Sequence, residues 1–114
     1  MDLNLLLRRM IVKSVNAKKR TFKGVNFDVL AVGLISMVTK MNYKIGDNVP
    51  KHSHPNEQSG YVISGKYRIQ YQNYNEILLP GDSYSIPDNI EHSMEVIEAG
   101  EVIDVFTPIR KDYL

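Results

Sequence analysis

Apolar and polar residues alternate in short runs along most of the chain. The clearest run is Lys66–Tyr71, in which three apolar side chains alternate with three polar ones. A period of two places neighbouring side chains on opposite faces of a β-strand. Similar short runs at residues 93–98 and 101–107 predict two further strands, separated at Ala99-Gly100. The pattern indicates a protein built mainly of short strands.

Turn residues separate these runs. Pro80-Gly81-Asp82 is typical of a tight turn, because proline presets φ and glycine permits a positive φ. Residues 61–64 are expected to meet residues 66–71 across Ser64-Gly65. Residues 29–39 are rich in aliphatic side chains and are expected to form one strand, bent at Gly33.

Closely spaced short strands favour a sandwich or a barrel, so the predicted fold class is an all-β barrel. A chain of 114 residues suits one domain with one core. We expect an N-terminal basic arm and edge strand over residues 1–24, and the β-barrel itself over residues 25–114.

The composition restricts the chemistry. The chain has no cysteine, which excludes disulfides and thiolate metal sites, so any metal must be held by nitrogen and oxygen ligands. No apolar run approaches the ~20 residues of a membrane helix. We therefore expect no membrane partner and, by default, a cytoplasmic protein.

Charge is distributed unevenly, although the net charge is only +1. Residues 1–23 contain seven of the fourteen basic residues and a single acid, Asp2, whereas the rest of the chain contains seven bases and twelve acids. A basic arm can contact nucleic acid, but this one carries no recognition motif. Pairing with the acidic remainder or with a second subunit is the preferred interpretation, and no nucleic-acid partner is expected.

All three histidines of the chain occur in positions typical of metal ligands. His52 and His54 are two residues apart, which on a strand turns both side chains to one face. His92 follows forty residues later and can approach from a neighbouring strand. Three imidazoles so placed suit a single divalent transition ion.

The spacing of these residues resembles that of the cupins. The first cupin motif is matched by Gly46, His-x-His, Gln58 and Gly65, and the second by Gly81, Pro87, Asn89 and His92. Asn89 replaces a glycine of the pattern, a mild change because asparagine tolerates left-handed backbone. Val96 replaces its final asparagine. The resemblance implies a small single-domain cupin, a double-stranded β-helix or jelly roll, with metal ligands His52, His54, Gln58 and His92.

Gln58 stands at the position that is a carboxylate in the family. The adjacent Glu57 is an alternative, but the spacing to Gly65 favours Gln58, and neighbouring strand residues face opposite ways. An amide oxygen is neutral, so the ion should be a stronger Lewis acid and be held less tightly than with a carboxylate. Zn, Ni, Fe, Mn and Co are all compatible with these ligands. The alternative is a barrel that has lost its metal.

Asp104 is the second unusual residue, because an acid within an apolar strand is costly unless it is paired or functional. Alternation places Asp104 and Phe106 on one face, without indicating whether that face is inward. Asp104 is a candidate general acid or base, and Arg110 a candidate clamp for a substrate carboxylate. The alternative is a structural Asp104–Arg110 ion pair closing the barrel end.

The motifs and the C-terminal segment together are similar to the KdgF-like cupins of pectin and alginate degradation, which convert unsaturated monouronates to the linear keto form. The resemblance implies that Asp104, Phe106 and Arg110 line the substrate site, with Asp104 and Arg110 catalytic. Tyr61 is added as a substrate-binding candidate. The other tyrosines of the strands, Tyr67, Tyr71 and Tyr84, are interpreted as core or dimer contacts.

Three function classes remain open. The preferred one is a metal-dependent enzyme acting on a small sugar acid, and the alternatives are a metal-dependent dioxygenase and a non-catalytic small-molecule-binding cupin. The expected partners are a carboxylated small molecule and a second copy of the chain. A homodimer is expected because residues 29–41 would otherwise form an exposed apolar edge.

Overall fold

The computed structural model describes residues 8–114. Two short 3-10 turns, Ser14–Asn16 and Lys111–Tyr113, flank ten strands. The strands are β1 (Lys18–Phe22), β2 (Val25–Val32), β3 (Met37–Tyr43), β4 (Asn48–His52), β5 (Glu57–Val62), β6 (Lys66–Tyr71), β7 (Tyr74–Leu78), β8 (Ser83–Ile86), β9 (His92–Glu98) and β10 (Gly100–Thr107). The all-β prediction is confirmed.

The strands form two antiparallel sheets that enclose one core. The larger sheet has the order β1-β2-β3-β10-β5-β8, and the smaller has the order β4-β9-β6-β7. Buried and less buried residues alternate along β3 and along β10 from Val102 onward, which shows that one face of the larger sheet is inward. The inward side chains of both sheets meet in a single apolar cluster that includes Phe27, Tyr67 and Val102. This jelly-roll arrangement agrees with the predicted cupin barrel.

The prediction of one bent strand over residues 29–39 was wrong. β2 ends at Val32 and β3 begins at Met37, and the two strands pair as a hairpin. The Gly33 amide donates to the Ser36 carbonyl at 2.8 Å, which closes the turn. Leu34 and Ile35 are exposed at its tip, so their apolar character gave a misleading strand signal.

Residues 61–64 and 66–71 also do not pair as expected. β5 belongs to the larger sheet and β6 to the smaller, so the chain changes sheets between them. Gly65, with φ +94°, permits this crossing, because only glycine adopts that backbone readily. The Tyr67 hydroxyl donates to the Ser64 carbonyl at 2.8 Å and anchors the corner.

β1 forms one edge of the larger sheet and pairs with β2. Its basic side chains contact the barrel: the Lys19 ammonium lies 2.7 Å from the buried Asp28 carboxylate, and Arg20 donates to the Tyr113 carbonyl. The first seven residues of the predicted arm lie outside the described residues, and its boundary at residue 24 stays a prediction. Within residues 8–114, no helix is long and apolar enough to span a membrane.

The edge invoked for dimerisation is not an edge. β3 is paired on both sides, with β2 and with β10, so residues 29–41 are covered within the sheet. The strands that end the larger sheet are β1 and β8, and those that end the smaller sheet are β4 and β7. A homodimer therefore needs a different surface from the one first inferred.

Candidate metal centre

The three histidines converge at one end of the barrel. His52 ends β4, His92 begins β9, and the two residues are opposite each other in register. His54 lies just beyond β4, with its ring centroid 4.9 Å from that of His92. One ring nitrogen from each of the three residues lies within 4.8 Å of the others. Such a cluster can direct three lone pairs at a single ion.

Backbone hydrogen bonds determine which nitrogen of each ring is free. The Nδ1 atoms of His52, His54 and His92 lie 2.9, 3.0 and 2.8 Å from the carbonyls of Pro50, Asn56 and Ile90. A carbonyl only accepts, so each Nδ1 carries the proton and each Nε2 of a neutral ring keeps its lone pair. His92 Nε2 is buried and has no hydrogen-bond partner among residues 8–114. An unpartnered buried acceptor is costly, and a bound cation would satisfy it.

The surroundings favour the neutral imidazole that a metal requires. Burial lowers the pKa of His52 and His54, and the positive charge of Arg110 adds to this effect. Burial lowers the pKa of His92 to about 4. At neutral pH all three rings are therefore available as ligands.

Gln58, rather than Glu57, lies beside the histidines. Gln58 is buried on the inward face of β5, whereas Glu57 is exposed. Its Oε1 atom is 3.0 Å from His54 Nε2. In the neutral ring both atoms are acceptors, so this approach is repulsive unless a cation lies against both. The donor set of three imidazoles and one amide oxygen therefore fits a divalent transition ion.

Asp104 faces the same cavity. It is 2% exposed, and the Tyr84 hydroxyl donates to its Oδ1 atom at 2.5 Å. Burial raises the pKa of Asp104 to about 6, although hydrogen bonds from Tyr84 and Gln58 and the charge of Arg110 act in the opposite direction. A buried carboxyl that titrates near neutrality suits proton transfer.

Arg110 is held by its own C-terminal segment. Its Nη2 donates to Asp112 Oδ2 at 2.9 Å, its Nη1 donates to the Tyr113 hydroxyl at 2.8 Å, and its Nε donates to Asp112 Oδ1. The guanidinium is 7% exposed and packs on the Tyr113 ring, 4.0 Å from the ring centroid. The alternative prediction, a structural ion pair between Asp104 and Arg110, was wrong. Among residues 8–114, the carboxylate that binds Arg110 is that of Asp112.

Most of these residues line a small, partly open cavity of about 30 Å³. This volume suits an ion or a water molecule, and a sugar ring must displace side chains to enter. Phe22 of the edge strand lines the same space and packs against His52, with ring centroids 5.2 Å apart. It is only partly buried, so moving it aside removes less packed surface than moving a fully buried residue of the lining. The lining includes His52, Gln58, His92, Asp104, Phe106 and Arg110, together with Phe22, Tyr43, Tyr84 and Tyr113.

The structure places Tyr61 away from this cavity. Alternation along β5 turns Gln58 and Val62 inward, which leaves Tyr61 outward and 51% exposed. Tyr61 is not among the residues that line this cavity. Two tyrosines of this sheet, Tyr43 and Tyr84, line the cavity, and sequence reasoning assigned Tyr84 to the core or a dimer contact. The sequence signal that could have indicated Tyr84 is Gly60, because a glycine within a strand often marks a close approach of another group.

Gly60 leaves the space that the Tyr84 ring occupies. A Cβ atom at position 60 would overlap the Tyr84 ring. Gly60→Ala should therefore destabilise the fold by about 1–3 kcal/mol, as overpacking typically does. Chemical denaturation measures the change, and Gly33→Ala is the control, because the nearest atom to a Cβ there is 3.5 Å away. Equal stability of the two variants would contradict the packing described.

Comparison with known proteins supports the predicted cupin fold. The family model described as Cupin domain matches residues 39–106. A search of curated protein sequences finds no match.

Solved structures share the fold over nearly the whole chain. An RmlC-like cupin from Shewanella frigidimarina NCIMB 400 superposes with a TM-score of 0.85 at 22% identity, covering 93% of this chain and 96% of the other. KdgF from Halomonas sp. superposes with a TM-score of 0.83 at 24% identity, covering 91% of this chain and 99% of the other.

A third similar structure is Bacillus subtilis oxalate decarboxylase, with a TM-score of 0.76 at 20% identity. The match covers 90% of this chain but only 30% of that one. These superpositions establish the common fold, and the family match extends through the histidines, Gln58 and Asp104. The chain belongs to the cupin family.

Proposed function

We propose that this cupin is a metal-dependent enzyme that converts a small unsaturated uronate to its linear keto form. The observation that carries the proposal is Asp104, a buried carboxyl with a pKa of about 6 in a cavity that His52, His92 and Gln58 also line. A barrel that only bound an ion would not require an acid–base group there. The similarity of its motifs to the KdgF-like group supplies the substrate class.

A divalent ion bound by His52, His54, His92 and Gln58 would act as a Lewis acid toward a substrate oxygen. Arg110 would orient the substrate carboxylate. A guanidinium has five N–H groups, and three of those on Arg110 are engaged by Asp112 and Tyr113, which leaves two for a ligand. Phe106, buried beside His54, would form an apolar wall of the site.

The conversion is an isomerisation and needs no oxidant. Loss of the anomeric hydroxyl proton lets the ring C1–O5 bond break, which forms an aldehyde at C1 and an enolate across C4 and C5. Protonation at C4 then gives the 5-keto sugar, so the proton removed and the proton added balance. Asp104 is the group proposed to accept the first proton and return it, since its raised pKa suits both directions near neutral pH.

The test is conversion of unsaturated galacturonate or mannuronate by the purified chain loaded in turn with Zn, Ni, Fe, Mn or Co. Loss of the ultraviolet absorbance of the conjugated C4–C5 double bond, under argon, is the expected result. His52→Ala is the metal-free control. Inertness with all five metals would overturn the proposal. Oxygen uptake would instead favour a dioxygenase. A stably bound ligand without turnover would favour a binding protein.

We also expect the chain to form a homodimer at micromolar concentration. Several large apolar side chains are exposed near the N-terminal segment and the β2–β3 turn: Met10, Ile11, Leu34 and Ile35. The bridge between Arg9 and Val32 brings these two segments together, and association would remove them from water. Sedimentation velocity measures the mass; a Leu34→Ser/Ile35→Ser variant should be monomeric, and monomeric wild type would contradict the expectation.

A further inference from the structure

A buried row of three residues lies beside the metal centre. In register, Asp104 of β10 faces Gly60 of β5, and Gly60 faces Tyr84 of β8. Paired strands lie about 4.8 Å apart, so Asp104 and Tyr84 are separated by two strand spacings. The Tyr84 ring crosses this gap only because Gly60 has no side chain. Its hydroxyl then donates to the Asp104 carboxylate.

The next row of the same sheet contains Gln58, between Phe106 and Ile86. The two ends of its amide differ chemically, because the oxygen accepts hydrogen bonds and the nitrogen donates them. Gln58 and Asp104 lie one row apart on the inward face of the sheet, and both line the cavity. The Asp104 carboxylate only accepts hydrogen bonds, so it favours the nitrogen end of the amide. The carbonyl oxygen is thereby turned toward His54 Nε2, at 3.0 Å.

We propose that Tyr84 is a positioning residue of the metal centre: it holds Asp104, and Asp104 holds the Gln58 amide with its oxygen toward the ion. A glutamate needs no such arrangement, since either carboxylate oxygen can bind a metal. A glutamine binds only when its amide is turned one way. The proposal rests on the ligand role of Gln58 and the histidines, and it is independent of the uronate reaction.

The experiment measures Co²⁺ affinity and the visible absorption of the Co²⁺-loaded full chain, with no substrate present. Tyr84→Phe should weaken Co²⁺ binding by about 10-fold, the lower end of the loss that follows removal of a ligand's supporting hydrogen bonds. Its Co²⁺ absorption should also change, because the oxygen ligand is no longer held. Tyr67→Phe is the matched control: it also removes a tyrosine hydroxyl that donates a hydrogen bond, here to the Ser64 backbone carbonyl, and Tyr67 does not line the cavity. It should bind Co²⁺ as wild type does.

A double-mutant cycle separates positioning from a general effect on the fold. In a Gln58→Ala background there is no amide to orient, so adding Tyr84→Phe should change Co²⁺ affinity no further. An equal loss in both backgrounds, or no loss in wild type, would overturn the proposal. Should Tyr84→Phe fail to fold, Asp104→Asn takes its place, and wild-type affinity and absorption in that variant would also overturn it.

The outcomes distinguish this proposal from the proposed reaction. In one outcome, wild type binds Co²⁺ tightly, Tyr84→Phe weakens that binding only when Gln58 is present, and no uronate is converted. This outcome overturns the reaction and supports the positioning role. Wild type that binds no Co²⁺ overturns the positioning role, whereas the reaction is overturned only by inertness with all five metals.

Discussion

His92→Ala should abolish stoichiometric metal binding. His92 is the one ligand contributed by β9, and the remaining donors come from β4, the loop that follows it and β5. Losing a ligand should cost more than the roughly 10- to 100-fold that follows loss of a ligand's hydrogen-bond partner. Elemental analysis after dialysis is the measurement, with His52→Ala as a second loss variant. Glu91→Ala, which changes an exposed neighbour that pairs with Lys51, is the control.

Thermal unfolding provides an independent check of the same prediction. A ligand at 100 times its Kd stabilises the folded state by about 2.7 kcal/mol, and each kcal/mol raises Tm by roughly 4–8 °C in a domain of about this size. Saturating Zn²⁺ should therefore raise the Tm of wild type by roughly 10 °C or more. The His92→Ala variant should show no such rise. Without metal the two proteins should be similarly stable, because the substitution also removes an unsatisfied buried nitrogen. Metal retained by His92→Ala at wild-type stoichiometry would contradict the site.

Asp104→Asn should lower the turnover of unsaturated uronate by about 10²- to 10⁴-fold at saturating metal, the usual contribution of a positioned acid or base. Asparagine has the shape of aspartate and can still accept from the Tyr84 hydroxyl, so the fold should be preserved. The three histidines should keep the variant loaded at saturating metal. Turnover and metal content are measured on the same samples, and wild-type turnover in this variant would exclude Asp104 as the proton carrier.

The pH dependence of stability gives Asp104→Asn a second readout. Burial raises the pKa of Asp104 from 3.8 to about 6, so the folded state binds this proton more tightly than the unfolded state does. The resulting penalty on folding is complete above pH 6 and diminishes as the pH falls toward 3.8. The variant lacks this penalty at every pH. Wild type should therefore gain stability relative to Asp104→Asn between pH 7 and pH 4, and a constant difference would contradict the shift.

Local sequence pattern was sufficient where a property depends on alternation along one strand. The period of two in β6 and in β10 predicted those strands, and it placed Asp104 and Phe106 on one face. The choice of Gln58 over Glu57 also followed from parity and spacing. These inferences hold because a strand has only two faces, so the separation of two residues determines whether they share one.

The local sequence pattern did not predict which strands pair with each other. The hairpin inferred across Ser64-Gly65 is a crossing between sheets, because a glycine with positive φ can reverse a chain or redirect it. The strand inferred over residues 29–39 is two strands, because the apolar residues at the turn tip resemble strand residues in composition. Which strands become neighbours depends on contacts between residues far apart in the chain.

The sequence by itself determined that the protein is an all-β cupin and which four side chains form its candidate metal site. Only the tertiary structure decided that Asp104 faces that site and that Arg110 is held by Asp112. It also decided that Tyr84, rather than Tyr61, lines the cavity. Parity shows which residues share a face, whereas packing of one sheet against the other decides which face is inward. Tyr84 reaches Asp104 across Gly60, a contact between three strands that no single stretch of sequence contains.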